Sequence, residues 1–219
     1  STAGFRAELA ATQAQPVNGP GITGARINAL LEDTGWDSSM GSVQQTGREL
    51  DIALRDNVWL TVQAPDGSES YTRAGDLQLD ANGQLRNGAG HAVFGDGGLL
   101  AVPPASSINI GADGTVSIVP LGQGANAPAQ IGRLKLVEAE PRQLRRGEDG
   151  LMRAVSGVSL NPAAGHVLAS GALESSNVNL AESMVNMIQL ARQFELQTKA
   201  MRAAEDNASA SATLVRLGN

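Results

Sequence analysis

Several groupings in this sequence have the residue types of a chemical site. Gly19-Pro20-Gly21-Ile22-Thr23-Gly24 has the letters of a dinucleotide-binding turn. The chemistry of that turn is to lay a pyrophosphate on a helix N-terminus that follows a buried strand. The residues ahead of it, Thr12-Gln13-Ala14-Gln15-Pro16-Val17-Asn18, make no such strand, so the segment reads as a Gly/Pro loop. Gly95-Asp96-Gly97-Gly98 lacks the Lys-Ser/Thr of a phosphate loop and reads as a turn. Glu138 with Glu140, or Glu148 with Asp149, could supply the acid and base of a glycosidase. That chemistry needs one carboxyl in an apolar pocket, whereas these stand among Pro141, Arg142, Arg145 and Arg146, a solvated setting. The histidines, in Gly90-His91-Ala92 and Gly165-His166-Val167, sit in strand or turn surroundings and activate no evident nucleophile. Asn207-Ala208-Ser209 fits a glycosylation acceptor but falls within a helical stretch. The expectation is no catalytic residue, no cofactor and no metal.

Composition points the same way. The 219 residues suffice for one large or two modest domains with a real core. Zero Cys removes disulfide scaffolds, thiolate metal sites and cysteine nucleophiles, and two His leave little for an imidazole site. The net charge is −6 and the pI near 4.9, with no basic run longer than Arg145-Arg146, so nucleic acid is not an expected partner. The longest stretches without charge, 114–132 and 154–173, are broken by Gly, Pro, Gln, Asn and Ser, so no membrane insertion is expected. Nor do the first residues show the basic and then apolar run of a cleavable secretory signal.

The elements fall into three parts. Residues 1–45 are rich in Gln, Thr, Gly and Ala with little periodicity and read as an extended connecting segment. Residues 46–170 read as a β-rich domain. Leu50, Ile52 and Leu54 alternate with Asp51, Ala53 and Arg55, and Val58, Leu60 and Val62 with Trp59, Thr61 and Gln63. Pro65-Asp66-Gly67, Asn82-Gly83, Asn87-Gly88 and Asp113-Gly114 supply turns at short intervals. Ile108-Asn109-Ile110, Val116-Ser117-Ile118 and Leu134-Lys135-Leu136 keep the period of two.

Residues 171–219 change character. From Asn179 to Leu217 there is no Gly or Pro, and Ala, Glu, Gln, Met and Leu favour helix. Asn179 is placed to cap it, with Glu182 in capping-box position, and Glu195 precedes Lys199 by four. Leu180, Met184, Met187, Ala191, Phe194, Thr198 and Met201 recur at alternating steps of four and three, a heptad seam. At ~1.5 Å per residue the helix would run roughly 57 Å, more than a small β domain can cover. From Ser175 onward acidic and basic residues balance, so the chain's negative charge lies wholly in residues 1–174. A neutral amphipathic helix suits protein packing better than a membrane surface. The expected fold class is thus mainly β, irregular, with short strands and hairpins and a long C-terminal α-helix meant for a coiled coil. The seam requires a partner helix, from upstream of this sequence or from another subunit.

Particular segments resemble a known family. Thr2-Ala3-Gly4-Phe5-Arg6-Ala7 resembles the segment that follows the N-terminal helix of flagellar rod and hook proteins. Gly47-Arg48-Glu49-Leu50-Asp51-Ile52-Ala53-Leu54 with Trp59-Leu60-Thr61-Val62 is similar to their first β motif. Tyr71-Thr72-Arg73-Ala74-Gly75 and Leu79-Asp80-Ala81-Asn82-Gly83-Gln84-Leu85 are similar to the next. The tail Gly171-Ala172-Leu173-Glu174-Ser175-Ser176-Asn177-Val178-Asn179-Leu180, with Met184-Val185-Asn186-Met187-Ile188, is the most specific. Ile110–Val116, Gly132–Val137 with Arg146–Leu151, and Ala191–Gln197 are closer to the proximal-rod type than to the distal one. Asp56-Asn57-Val58-Trp59 stands where the family usually has a Gly-rich turn.

The resemblance implies a structural subunit of the bacterial flagellar basal-body rod, a non-enzyme in the periplasm that polymerises into the shaft transmitting torque for swimming. It implies an upstream N-terminal helix paired with the C-terminal one in the inner core, and the β domain outside. The implied partners are further copies, neighbouring proximal- and distal-rod proteins, and the flagellar export apparatus, with export needing no cleaved signal. The helix-packing residues are then Leu180, Met184, Met187, Ala191, Phe194 and Met201. The alternatives are a distal-rod or hook subunit, or, from another class, a secreted β-rich binding module with a helical oligomerisation tail.

Overall fold

Alternation around Leu50 and Val58 becomes two short strands, Ile52–Leu54 and Val58–Gln63. The computed structural model describes residues 2–16, 27–122 and 128–217, so the Gly19–Gly24 motif lies outside it. It divides into two units, Ser1–Asn177 and Val178–Asn219. The first is built on a six-stranded antiparallel sheet. Its order is Leu144–Arg146, Met152–Ala154, Glu69–Thr72, Val58–Gln63, Leu136–Glu138 and Asn161–Pro162. Pro162, which lacks an N–H, sits on the last strand and blunts that edge.

The turn signals deliver hairpins. Asn82-Gly83 separates Leu77–Leu79 from Leu85–Asn87, with Gly83 at φ +76°, a value glycine adopts without strain. Asp113-Gly114 joins Ala105–Ile110 to Thr115–Pro120, which pairs on with Ala129–Arg133. The departure at Asp56-Asn57 has a local solution. Asn57 takes φ 59°, left-handed backbone that Asn tolerates better than other side chains, and its carbonyl accepts from the Ala139 N–H at 2.9 Å.

Alternation marks two strand faces, but neither faces water. Leu60 and Val62 enter the main core with Ile52, Leu54, Leu77, Leu85 and Val93. Trp59, on the other face, joins Val137, Ala139, Leu144 and Met152, with Trp36 and Tyr71 against them. The Trp59 indole N–H donates to the Ala139 carbonyl at 3.2 Å, and Trp36 meets its ring edge-on at 5.6 Å. Thr61 and Asp51, both in polar register positions, are also buried. Asp51 is kept by a 2.7 Å hydrogen bond from the Thr46 hydroxyl. A central strand with cores on both faces hides polar positions that alternation alone would place outside.

Within residues 1–45 the structure adds what the sequence did not signal. Glu8–Pro16 and Ile27–Trp36 pair as an antiparallel hairpin, from Glu8↔Trp36 to Pro16↔Ile27 with a register shift between Leu9 and Ala10. Two further pairings bring early and late chain together: Val43–Gln45 with Ala172–Glu174, and Ile52–Leu54 with Leu168–Ser170. The second unit is the helix Leu180–Leu217, α1, of 38 residues.

Candidate assembly interface

Helix α1 starts where its cap predicts. The Asn179 side-chain oxygen accepts from the backbone N–H groups of Ala181 at 3.1 Å and Glu182 at 3.3 Å, satisfying two orphan donors of the first turn. The Ser183 hydroxyl donates to the Asn179 carbonyl at 2.9 Å. Further along, Glu195 and Lys199 form the expected pair at 2.9 Å. Such a surface pair contributes only about 0.3–0.5 kcal/mol, so it supports the helix without explaining its length.

The heptad residues are exposed, as is nearly every described residue of α1. Phe194 is 71% exposed, Met187 70% and Leu180 68%, with Met184 and Met201 also exposed. Ala191 is exposed too, and Thr198 half-buried, its hydroxyl donating to the Phe194 carbonyl at 2.9 Å. Because α1 is one continuous helix, the spacing of three and four puts all seven positions on one stripe. Val185, Ile188, Leu190 and Leu196 add exposed apolar surface off that stripe. Together these side chains make an exposed apolar surface along the helix.

The other groupings with chemical potential fall apart in space. Glu140 is exposed and pairs with Arg142 at 2.7 Å. Asp149 binds Arg153 through both carboxylate oxygens at 2.7 Å, and these bonds hold its carboxyl below the usual carboxylate range. His91 lines a 210 Å³ cleft beside Phe5 and Arg146, while His166 lines a separate, open 520 Å³ depression with Met40 and Leu168. Among the described residues no cluster of His, Asp and Glu could hold a metal ion, and no helix is long and apolar enough to cross a membrane.

One polar cluster was not singled out by sequence reasoning. Glu174, fully buried, receives Arg6 on one carboxylate oxygen and Arg73 on the other, each at 2.7 Å. The signal for it was distributed. Arg6, Arg73 and Glu174 come from three separate segments that carry the flagellar resemblance, and each looks ordinary alone. Asn177 lies beside the cluster, accepting from the Ala7 N–H at 2.8 Å and donating to the carbonyls of Asp37 and Ser39 at 3.1 Å.

Comparison with known proteins gives this arrangement a family. Residues 169–214 match the family described as flagellar basal body rod FlgEFG protein C-terminal, and residues 53–118 match the flagellar hook protein FlgE/F/G D1 domain. The flagellar basal-body rod protein FlgF of Escherichia coli (strain K12) is 42% identical over 223 residues, covering 99% of this chain and 88% of that protein. The chain belongs to the flagellar basal-body rod proteins, in their FlgF type. FlgF of Salmonella typhimurium is 43% identical over 215 residues, spanning 94% of this chain and 84% of that protein. Flagellar basal-body rod protein FlgG of Bacillus subtilis is more distant, at 31% over 211 residues, 88% of this chain and 79% of that protein. This FlgF-type rod protein is therefore a structural subunit of the flagellar basal body, and its C-terminal family match contains the whole of the bare seam.

Proposed function

We propose that the seam Leu180, Met184, Met187, Ala191, Phe194 and Met201 is the surface through which this rod protein is built into the shaft. The observation that carries the reading is the row of exposed apolar side chains at heptad spacing along α1, in a chain whose β-rich unit buries most of its large apolar side chains. Against a partner helix the stripe gains roughly 25 cal/mol for each Å2 of apolar surface removed from water. In this reading residues 171–219 form the inner core with an N-terminal helix, residues 46–170 lie outside, and residues 1–45 connect the two. Subunits join head to tail, heterologous contacts that grow an open helical array.

The chain interacts with other rod subunits, and we place it in the proximal rod among copies of itself and neighbouring rod proteins. It does no catalysis. Its work is to transmit torque, which asks for stiff packing and no reactive group. Export through the flagellar apparatus, without a cleaved signal, fits terminal segments that gain their order on docking.

Deleting the gene is expected to abolish swimming and leave basal bodies with an incomplete rod, a phenotype that no added ligand relieves. A deletion strain that swims normally, or a purified chain that turns over a sugar, would contradict the reading.

A further inference from the structure

The Glu174 cluster is lopsided. Arg73 spends every N–H it has. Its Nε and Nη2 donate to Glu174, Nη1 to the carbonyls of Arg55 at 2.9 Å and Val58 at 2.8 Å, and Nη2 also to Leu54 at 2.8 Å. Its guanidinium carbon lies 5.7 Å from the centre of the Trp59 ring. Glu174 is equally complete, since the Gly41 N–H adds a third partner at 2.9 Å. Together Arg73 and Glu174 make a neutral, fully bonded pair. Arg6 is the additional charge. It is 3% exposed, donates to the Ser39 carbonyl and to Glu174, and leaves its Nε buried with no partner. Burial pulls its pKa below the ordinary arginine value, opposed by Glu174, while the neighbouring Arg73 lowers it further.

The segment that carries Arg6 is held as a strap. The Gly4 N–H donates to the Glu174 carbonyl at 2.9 Å, and the Asn177 N–H to the Phe5 carbonyl at 3.2 Å. The Ala7 carbonyl accepts from the Asp37 N–H at 2.8 Å. Arg146 donates to the Arg6 carbonyl at 2.9 Å and lies 4.6 Å over the Phe5 ring. Gly4 has φ +62°, and a Cβ there would stand 2.3 Å from the Arg73 carbonyl carbon, so only glycine lets the strap come this close.

We infer that Arg6 is a releasable latch: residues 2–7 dock as one piece on a pre-formed Arg73–Glu174 pair and leave it as one piece, so that this segment is tied to residues 174–177 only in the docked state. The charge balance decides which member moves. Losing Arg73 would strand Glu174 with a partner whose own donors are incomplete. Losing Arg6 leaves a neutral pair behind and frees an arginine whose Nε is then hydrated. A buried pair that is complete without its third member lets that member leave without stranding a charge. Arg6 is therefore a positioning residue for residues 2–7 against residues 174–177, and this does not depend on what covers α1.

Hydrogen exchange on the full chain tests it. In Arg6→Ala the amides of Gly4, Ala7, Asp37 and Asn177 should exchange about tenfold faster or more, while those of Leu60 and Val62 in the central strand keep their protection. Gly4→Ala keeps every charge but blocks the close approach, and should give the same selective pattern. Unchanged protection at the four amides in both variants would overturn the latch. So would loss of protection throughout Ser1–Asn177, or an Arg6→Ala chain that fails to fold, because the Arg73–Glu174 pair would then not be self-sufficient.

Discussion

An aspartate at Met187 or at Phe194 keeps the chain out of the rod while its β-rich unit stays folded. Both side chains are about as exposed as a helix residue can be, so the substitutions cost the single chain little beyond a few tenths of a kcal/mol in helix propensity. Assembly changes the environment. A carboxylate forced into an apolar helix seam without a partner loses its hydration, which costs several kcal/mol. Even about 3 kcal/mol is roughly a hundredfold in the affinity of each subunit for its neighbours. The expected result is a strain with little or no swimming and basal bodies lacking the subunit, alongside a purified variant with wild-type thermal unfolding. Gln193→Asp, on the polar side of the same helix, should assemble and swim. Normal incorporation of Phe194→Asp would show that the seam is not the packing surface.

Glu174→Ala has the largest expected effect on stability. It removes the one negative charge between two buried guanidiniums, Arg6 and Arg73. Breaking a buried ion pair by deleting one partner costs about 3–5 kcal/mol. A typical domain is stable by only about 5–15 kcal/mol, so the variant should lie near the edge of folding. Trp36 and Trp59, in contact at 5.6 Å, give a fluorescence signal for urea unfolding. The expected midpoint is far below wild type, with Glu174→Gln in between because it keeps the shape and one acceptor. A midpoint for Glu174→Ala close to wild type would contradict the electrostatic account. The contrast with Arg6→Ala, which leaves a neutral pair, separates the anchor from the latch.

What the sequence disclosed follows from which interactions are local. The hairpin at Asn82-Gly83, the cap at Asn179 and the Glu195–Lys199 pair each depend on residues a few positions apart, and each was legible. A helix likewise writes a face into a spacing of three and four, which is what let the seam be proposed from sequence. The burial of Asp51, Thr61 and Trp59 was not, since it depends on strands and loops that arrive from elsewhere to cover the second face. The pairing of Glu8–Pro16 with Ile27–Trp36 escaped because neither strand alternates clearly. The Glu174 cluster escaped for a plainer reason: Arg6 and Glu174 are 168 residues apart in the chain. Only the folded sheet pairings, Val43–Gln45 with Ala172–Glu174 above all, bring such residues within reach.

Whether the apolar stripe of α1 becomes covered when the subunit enters the rod can be measured directly. The chain has no cysteine, so single replacements Met187→Cys, Phe194→Cys and Gln193→Cys each introduce one thiol. Labelling with a water-soluble maleimide before and after assembly compares the same atom in two states. Labelling should be fast at all three positions in the free chain, with strong protection of positions 187 and 194, well beyond that of 193, in isolated basal bodies. Equal labelling of Phe194→Cys in the free and assembled subunit would contradict it.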